Sequence, residues 1–466
     1  MKFHLLLLAA LMVLASCKLG PDFQVPGATG GLGWKEGKAT STASLPDQWW
    51  RLFNDSELNT LVNRALVSNN DLAAAKARVD TARALVGVDR ARLFPTLDLA
   101  GSAGITRSSP GGTGGNLPPG VSIELENQRY RGSFDLAYDP DLWGRNKRLI
   151  EASSAQAAAS EALLDSQRLG IATEVARQYF TLRGLDAQEI VLSDTLKSRN
   201  DALSIQKSRA DAGLTDGLAT TRARTEMELA TSDLAAVQRQ RGSAEHALAV
   251  LCGTRPSAFS VSKRSLNKTL PTIRPGLPAQ VLGRRPDVRA AEQELRAANA
   301  RIGVAEAAFY PNFNLISSAG LESLDAKDFL SWENRILSLG ANLAAPILDG
   351  GTNRANFQAA RSRYDEALAR YRQTLLVALR EVEDALVDLQ GLAKSRAALE
   401  RALTSADDTK NISQERYDKG LSSYLEVVDA DRTVLQIRLA LRQQEAQQRI
   451  SLAALAKALG GGWSKN

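Results

Sequence analysis

The chain has 466 residues, 44% of them hydrophobic and 24% charged, with a formal charge of +6. That length allows two or three domains, and the interspersed Lys, Arg, Asp and Glu read as solvated helix faces, which excludes a nucleic-acid patch. Aromatic residues are few, at 5%, while Ala, Leu, Arg, Gln and Glu are plentiful, a mix that favours long helices and coiled coils.

The chain opens MKFHLLLLAALMVLASC. Lys2, the apolar run from Leu5 to Val13 and the small-residue site Leu14-Ala15-Ser16 read as a secretory signal over residues 1–16, too short to stay as a spanning helix. LASC also resembles a bacterial lipobox, in which the thiol of Cys17 carries the diacylglycerol and becomes the mature N-terminus. Lys18 in place of Asp after that cysteine favours the outer membrane. No later segment reaches about 18 uncharged apolar residues, so no membrane-spanning helix is expected after the signal. Cys252, in ALAVLCG at a helix end, is left as a free thiol and reads as a small buried apolar residue. Residues 17–48 form an N-terminal tether: GPDFQVP, then a Gly/Ser/Thr/Ala-rich stretch from Gly27 to Ser44, read as extended or disordered.

The remainder is an internal duplication, one repeat over 49–262 and the other over 281–466, joined by a linker at 263–280. LFPTLDLAGSAG (Leu93 to Gly104) matches FYPNFNLISSAG (Phe309 to Gly320), and Asn70-Asp71-Leu72 matches Pro286-Asp287-Val288. Downstream, Gly144 pairs with Gly351, Arg209 with Arg416, Gly213 with Gly420 and Gly253 with Gly460. The length difference falls in the loop SSPGGTGGNLPPG (Ser108 to Gly120), where a surface connection tolerates it. GGTGG within it lacks the Lys-Ser/Thr of a phosphate loop.

Each repeat predicts two strands, at about 95–107 and 129–139 in the first and about 311–322 and 335–348 in the second. Leu97, Leu99, Ala103 and Ile105 alternate with Asp98, Ala100, Ser102 and Thr106, and the other three runs alternate likewise, with Ile316 a misfit. Each is about the 9–11 residues that a tilted strand needs to cross a bilayer, with one apolar face and one polar or small face. Four strands leave open edges, which hydrocarbon does not tolerate, so closure needs several chains. Two chains give a filled barrel of eight strands; three or four leave room for a channel.

The strands are followed by long helical hairpins. Asn146 to about Ala210 is continuously helical apart from Gly170 and Gly184, a rod of roughly 100 Å. In the second copy Tyr364, Leu368, Tyr371, Leu375, Ala378, Val382, Ala385, Leu389 and Leu392 are spaced as a coiled-coil seam. The return helix carries two stripes, one through Leu425, Val428, Arg432, Leu435 and Leu439, the other through Val427, Ala430, Val434, Ile437 and Leu441. Such a helix has neighbours on both sides. The hairpins turn at RADAGLTDGLATTRART (Arg209 to Thr225) and RYDKGLSSYLEVVDADR (Arg416 to Arg432). In each, a Gly-Leu pair ends one helix in a left-handed step, and a following Ser, Thr or Asp can cap the next.

These features together resemble the TolC-like outer-membrane efflux proteins, in the lipoprotein branch paired with resistance-nodulation-division pumps. The resemblance runs from Cys17 to Trp463. It rests on the lipobox with GPDFQVP, WWRLFNDSELNTLVNRALVSNNDL (Trp49 to Leu72), LGRRPDVRAAEQEL (Leu282 to Leu295), the two turns and the ending KALGGGW. It implies a mainly α protein with a transmembrane β-barrel part, a trimer whose four strands per chain complete a 12-stranded barrel over a long periplasmic coiled-coil tunnel. The linker would lie in an equatorial region. The partners implied are two further copies of the chain, a periplasmic adaptor, an inner-membrane pump of that class and outer-membrane lipid. The turns Gly213-Leu214-Thr215 and Gly420-Leu421-Ser422 would meet the adaptor. Leu425, Glu426, Asp429 and Arg432, just after the second turn, match positions that close the family's tunnel. A ring of carboxylates there attracts cations and restricts anions. One departure is Ala219, where some relatives hold a latching acid. Asp211, Asp216 or Arg222 is the substitute expected, Arg222 being the counterpart of Asp429.

No enzyme signature is present: one His, His246, remains after the signal, without Cys-x-x-Cys, nucleotide loop or Ser elbow, and metal and cofactor sites are read as absent. The favoured reading is a passive export duct for small molecules. A lipid-anchored periplasmic coiled-coil scaffold and a type I protein-secretion duct are the alternatives.

Overall fold

The computed structural model describes residues 18–27, 33–37, 45–107, 109, 126–266 and 269–461. The signal, Cys17, nearly all of the loop 108–120 and Trp463 fall outside the described residues. Among the described residues a 3-10 turn (Trp49–Phe53) is followed by α1 (Ser56–Ser68), α2 (Asn70–Ala91), β1 (Thr96–Arg107), β2 (Glu126–Tyr138), α3 (Arg145–Asp211) and α4 (Gly217–Leu251). After the linker come α5 (Pro278–Arg284), α6 (Pro286–Ala307), β3 (Asn312–Ser323), β4 (Arg335–Ala344), α7 (Thr352–Asp418) and α8 (Tyr424–Ala458). Both halves end in a 67-residue helix and a 35-residue return helix.

The chain packs as two compact units. The first draws its described residues from Met1–Val25, Asp80–Ala159 and Glu292–Arg370, the second from Pro26–Val79, Ser160–Ala291 and Tyr371–Asn466.

The first unit holds a four-stranded antiparallel sheet in the order β1-β2-β3-β4. Leu97 pairs with Leu136, Leu99 with Phe134, Phe134 with Ala319 and Ala319 with Leu337, so the alternating residues of all four strands fall on one apolar face. That face is open: Leu99 is 74% exposed and Leu339 83%. The opposite face carries a polar network. Arg131 donates to Ser318 at 3.0 Å and lies 3.6 Å from Glu322, and Ser133 donates to Asp135 at 3.2 Å. Ile316 lies on this polar face opposite Gly340, whose missing side chain leaves room for it. Two strand limits differ from the sequence reading. β2 starts at Glu126 rather than 129, and β4 stops at Ala344 rather than 348. Pro346 has no N–H for a ladder and biases Ala345 away from continuing it, which leaves Ile347 outside the strand and 97% exposed.

The GPDF segment is held within this unit. Arg148, buried at the start of α3, donates to the carbonyls of Leu19 (2.7 Å) and Gly20 (2.6 Å) and pairs with Asp22 and Glu151. Gly20, at φ +88°, lies against Gly303, and a Cβ there would come within 2.5 Å of the Gly303 Cα.

The second unit holds the main core. Trp49, Trp50 and Phe53 from the 3-10 turn pack with Tyr179, Phe180, Leu248 and Ala453. The segment just before the linker is tied to α3 and α4 by buried charges: Arg183 donates to the Ser262 carbonyl and Arg241 to the Val261 carbonyl, both at 2.7 Å, while Asp186 accepts from both arginines. The Tyr179 hydroxyl donates to Asp55, and burial pushes its pKa up to about 12. At Trp34 to Glu36 the tether departs from its reading as extended or disordered. Trp34 is buried and donates to the Gly276 carbonyl at 2.7 Å, and Glu383 accepts from the backbone N–H of Lys35 and Glu36. A lone tryptophan in a Gly/Ser stretch gains too much from burial to stay in water. The seam of α7 is buried from Tyr371 to Ala385, and both stripes of α8 are covered at Val427, Val428, Val434 and Leu435.

Candidate functional site

Both hairpin turns have the same backbone. Gly213 stands at φ +74° and Gly420 at +73°. The N–H of Gly213 donates to the Ala210 carbonyl and that of Leu214 to Arg209, both at 2.9 Å; Gly420 donates to Tyr417 at 2.9 Å and Leu421 to Arg416 at 2.8 Å. Each is a Schellman ending, which satisfies carbonyls that a helix end leaves orphaned. Leu214 and Leu421 project at the tips, 78% and 67% exposed; Thr215 and Ser422 beside them are half-buried. The expected caps differ from the sequence reading: Asp216 and Ser423 occupy the N-cap positions, but neither side chain accepts a cap hydrogen bond.

Just beyond the turns lies a charge cluster fed by all four long helices of the second unit. Glu226 on α4 is buried. Arg432 on α8 donates to it through Nε at 2.9 Å and again through Nη2. Arg199 on α3, also buried, donates to the Glu226 carbonyl at 2.7 Å and holds its carboxylate at 3.2 Å. Asp431, next to Arg432, takes Lys410 of α7 at 2.6 Å and lies 3.5 Å from the Arg199 Nε. A cavity of about 350 Å³ opens among these groups, bounded also by Tyr417 and Tyr424. Below it Arg209 joins α3 to α7, bonded to Asp418 at 3.2 Å and stacked over the Tyr417 ring at 5.3 Å. Bonds from Gln414 and Arg209 hold Asp418 below the usual aspartate range, and burial pushes Tyr424 up. The Glu226 carboxylate holds Arg432 more firmly protonated.

Of the four expected gate residues, Arg432 is the one in this cluster. Leu425 is 41% exposed, Glu426 lies 3.8 Å from Arg416, and Asp429 lies 3.8 Å from Arg432 with its side chain 62% exposed. From α8, Arg432 reaches the other hairpin at Glu226. Ala219 is buried. Glu226, Arg199, Lys410 and Asp431 were not singled out from sequence. A signal was there, because Ala219, Ala223, Glu226 and Ala230 fall on one buried helical stripe, and a carboxylate on an apolar stripe needs a partner. His246 is exposed on α4, and Cys252, buried at the end of the same helix, has its thiol pKa raised by that burial.

A duplicated chain with a lipid-length sheet open on its apolar face and paired helical hairpins is a chain built to form part of a duct. The model of the family described as outer membrane efflux protein matches residues 61–254 and 277–461. The solvent efflux pump outer membrane protein SrpC of Pseudomonas putida is 33% identical over 472 residues, covering 100% of this chain and 99% of its own. The cation efflux system protein CusC of Escherichia coli is 31% identical over 462 residues, covering 97% of each. Among solved structures, the outer-membrane channel OprN aligns with a TM-score of 0.89 at 29% identity, over 96% of this chain and 100% of that one. The chain belongs to the outer membrane efflux protein family. It is an outer-membrane channel component of a tripartite efflux system.

Proposed function

We propose that three copies of this chain close into one export duct, anchored by lipid on Cys17, engaged at its helix turns by a periplasmic adaptor and driven by an inner-membrane pump of the resistance-nodulation-division class. The observation that carries this is the sheet, which ends at β1 and β4 with an apolar face in the open. Unpaired edges are not tolerated in hydrocarbon, and three copies supply twelve strands. Gly213, Leu214, Thr215, Gly420, Leu421 and Ser422 form the adaptor surface, with the two exposed leucines as its apolar contacts. The chain acts as a conduit rather than an enzyme. Relatives of nearly equal identity are named for solvents and for cations, which supports a tube whose cargo is chosen by the pump.

Closure rests on two layers. Leu425, Glu426 and Asp429 face the bore, where carboxylates from three chains gather cations. Arg432 and Glu226 hold one hairpin to the other within each chain. Purified protein in detergent, analysed by native mass spectrometry and in planar bilayers, tests the assembly. Trimers of low conductance that rises in Glu226→Ala are expected. A conducting species of another stoichiometry, or no pores from well-folded trimers of the variant, would overturn the reading.

A further inference from the structure

The connection between β3 and β4 lies at the end of the sheet away from α6 and α7, because β3 starts just after α6 and β4 runs back to α7. Strand length sets its height. The 12 residues of β3 span about 40 Å at ~3.3 Å each, and about 30 Å along the membrane normal at a tilt of ~40°, against an apolar band of about 25 Å. The connection therefore sits at the outer edge of the hydrocarbon.

Its own bonds give it shape. Ser323 Oγ donates to the Asp325 carbonyl at 2.8 Å and accepts from the Asp325 N–H at 3.1 Å, and Asn334 Nδ2 donates to the Asp328 carbonyl at 2.7 Å. The chain turns back over the sheet. Gly101 and Gly132 pair with each other in the same alternation as Leu99 and Phe134, so the apolar face carries no side chain there. Phe329 covers the gap: a Cβ on Gly132 would stand 3.1 Å from its Cζ. Gly132 pairs with Leu321, two residues short of the end of β3, so the connection doubles back about 7 Å down the lipid side.

Beside Phe329, Leu330 is 82% exposed and Trp332 77%. Trp332 is the one exposed tryptophan among the described residues; Trp34, Trp49 and Trp50 are buried and Trp143 is half-buried. An ordered segment that turns two large apolar side chains outward marks a surface for an apolar neighbour. The adjoining strand says which. Leu343, Ala341, Leu339 and Leu337 follow one another on the lipid side of β4, and the next residue on that side is Arg335. Its guanidinium lies over the Trp332 ring at 5.1 Å, and its Nη1 donates to the Trp332 carbonyl at 3.0 Å. An apolar row that ends in an arginine stacked on a tryptophan passes from hydrocarbon to headgroups at that point, where an indole and a snorkelling cation are both at home.

We propose that the β3–β4 connection is an outer-leaflet lipid anchor. Phe329 clamps it to the sheet, and Leu330 and Trp332 enter the lipid at the level of the ester groups. The anchor fixes the depth of the sheet from its outer end and does not depend on lipid at Cys17.

The test uses the full-length protein in lipid nanodiscs that contain phosphatidylcholine with a doxyl quencher, placed near the ester in one arm and near the chain end in the other. Subtracting the emission of W332F from that of the parent isolates Trp332. Loss of most of this emission is expected with the shallow quencher, and a smaller loss with the deep one. L330C labelled with a nitrobenzoxadiazole fluorophore repeats the measurement one turn away, with the parent labelled in parallel as the blank, and decides the matter if Trp332 is dark. No doxyl quenching at either position, as for a connection that faces water or a second copy of the chain, would overturn the anchor. Stronger quenching by the deep label would overturn its assigned depth and the anchor with it.

Discussion

Asn69 and Arg285 occupy equivalent positions in the two halves and do the same job with different groups. Asn69 Nδ2 donates to the carbonyl of Leu251, the last residue of α4, at 3.0 Å; Arg285 Nη1 donates to that of Ala458, the last residue of α8, at 2.9 Å. Asn69 is neutral, and its own oxygen accepts from the N–H of Asp71 and Leu72 to cap α2. Arg285 has no acceptor. Asp287 receives Val288 in its place, and Asp287 and Glu381 both pair with the buried guanidinium. What the duplication retains is a geometric demand, a donor for the orphaned end of a return helix. Any side chain of the right reach meets it, and its neighbours then change to balance the charge.

The largest expected contrast is at the glycines one step further on. Gly253 and Gly460 both have left-handed backbones, at +62° and +87°. A Cβ on Gly253 would stand 2.1 Å from the Ser68 carbonyl oxygen, whereas on Gly460 its nearest neighbour would be at 3.4 Å. Gly253→Ala should therefore cost well over ~3 kcal/mol, with the backbone displaced, and Gly460→Ala about 1 kcal/mol of conformational strain. Thermal unfolding of the two variants checks this, and equal losses would contradict the close approach.

Next comes the pair itself. Arg285→Ala strands Asp287 and a helix end and leaves Glu381 only Lys457 at 3.9 Å, a loss of about 3–5 kcal/mol. Asn69→Ala removes a neutral cap and should cost about 1–2 kcal/mol. A pH profile separates them further. Asp287 is pushed up by burial but held below its ordinary 3.8 by the stronger sum of Arg285 and its backbone bonds. Its contribution is present above the unfolded value and is lost as pH falls through the folded one. Parent protein and Asn69→Ala should lose stability below about pH 4, a component that Arg285→Ala lacks.

The link between hairpins sharpens the comparison in function. Glu226→Ala removes the carboxylate shared by Arg432 and buried Arg199, and with Arg432 half in water the cost should be about 2 kcal/mol. Arg432→Ala leaves Glu226 to Arg199 and should cost about 1 kcal/mol. Asp429→Ala should stay under about 0.5 kcal/mol. Bilayer conductance should rise in that same order of strength.

Much of this was readable in advance because it is periodic or punctuated. Alternation placed four strands, proline-free runs placed the long helices, and paired Gly-Leu steps placed the turns. The errors have local causes. Alternation carried β4 on to Ile347, past Pro346, where the ladder has no donor. Low-complexity flanks hid Trp34. The turn residues at 216 and 423 have capping side chains in sequence that make no cap bond in the fold. The Arg432–Glu226 link was missed because repeat alignment compares equivalent positions, and these two are not equivalent: the counterpart of Arg432 is Thr225. A contact between repeats depends on how they pack, which the alignment does not contain.

The smallest expected contrast falls where the halves should not differ. A Cβ on Gly213 or on Gly420 meets nothing within 4 Å, and the two φ values are +74° and +73°. Alanine at either position then pays only for the left-handed conformation, about 1 kcal/mol, and the cost stays within the last helical turn. Hydrogen exchange at the amides of Leu214 and Leu421 should quicken about fivefold in the respective variants, as ~1 kcal/mol of local opening requires. Equal changes in isolated protein would leave any difference in efflux between the two variants to the partner that meets the turns. Unequal changes would mean that the side chains around the turns, Arg209 over Tyr417 on one side and Arg416 near Glu426 on the other, already distinguish them.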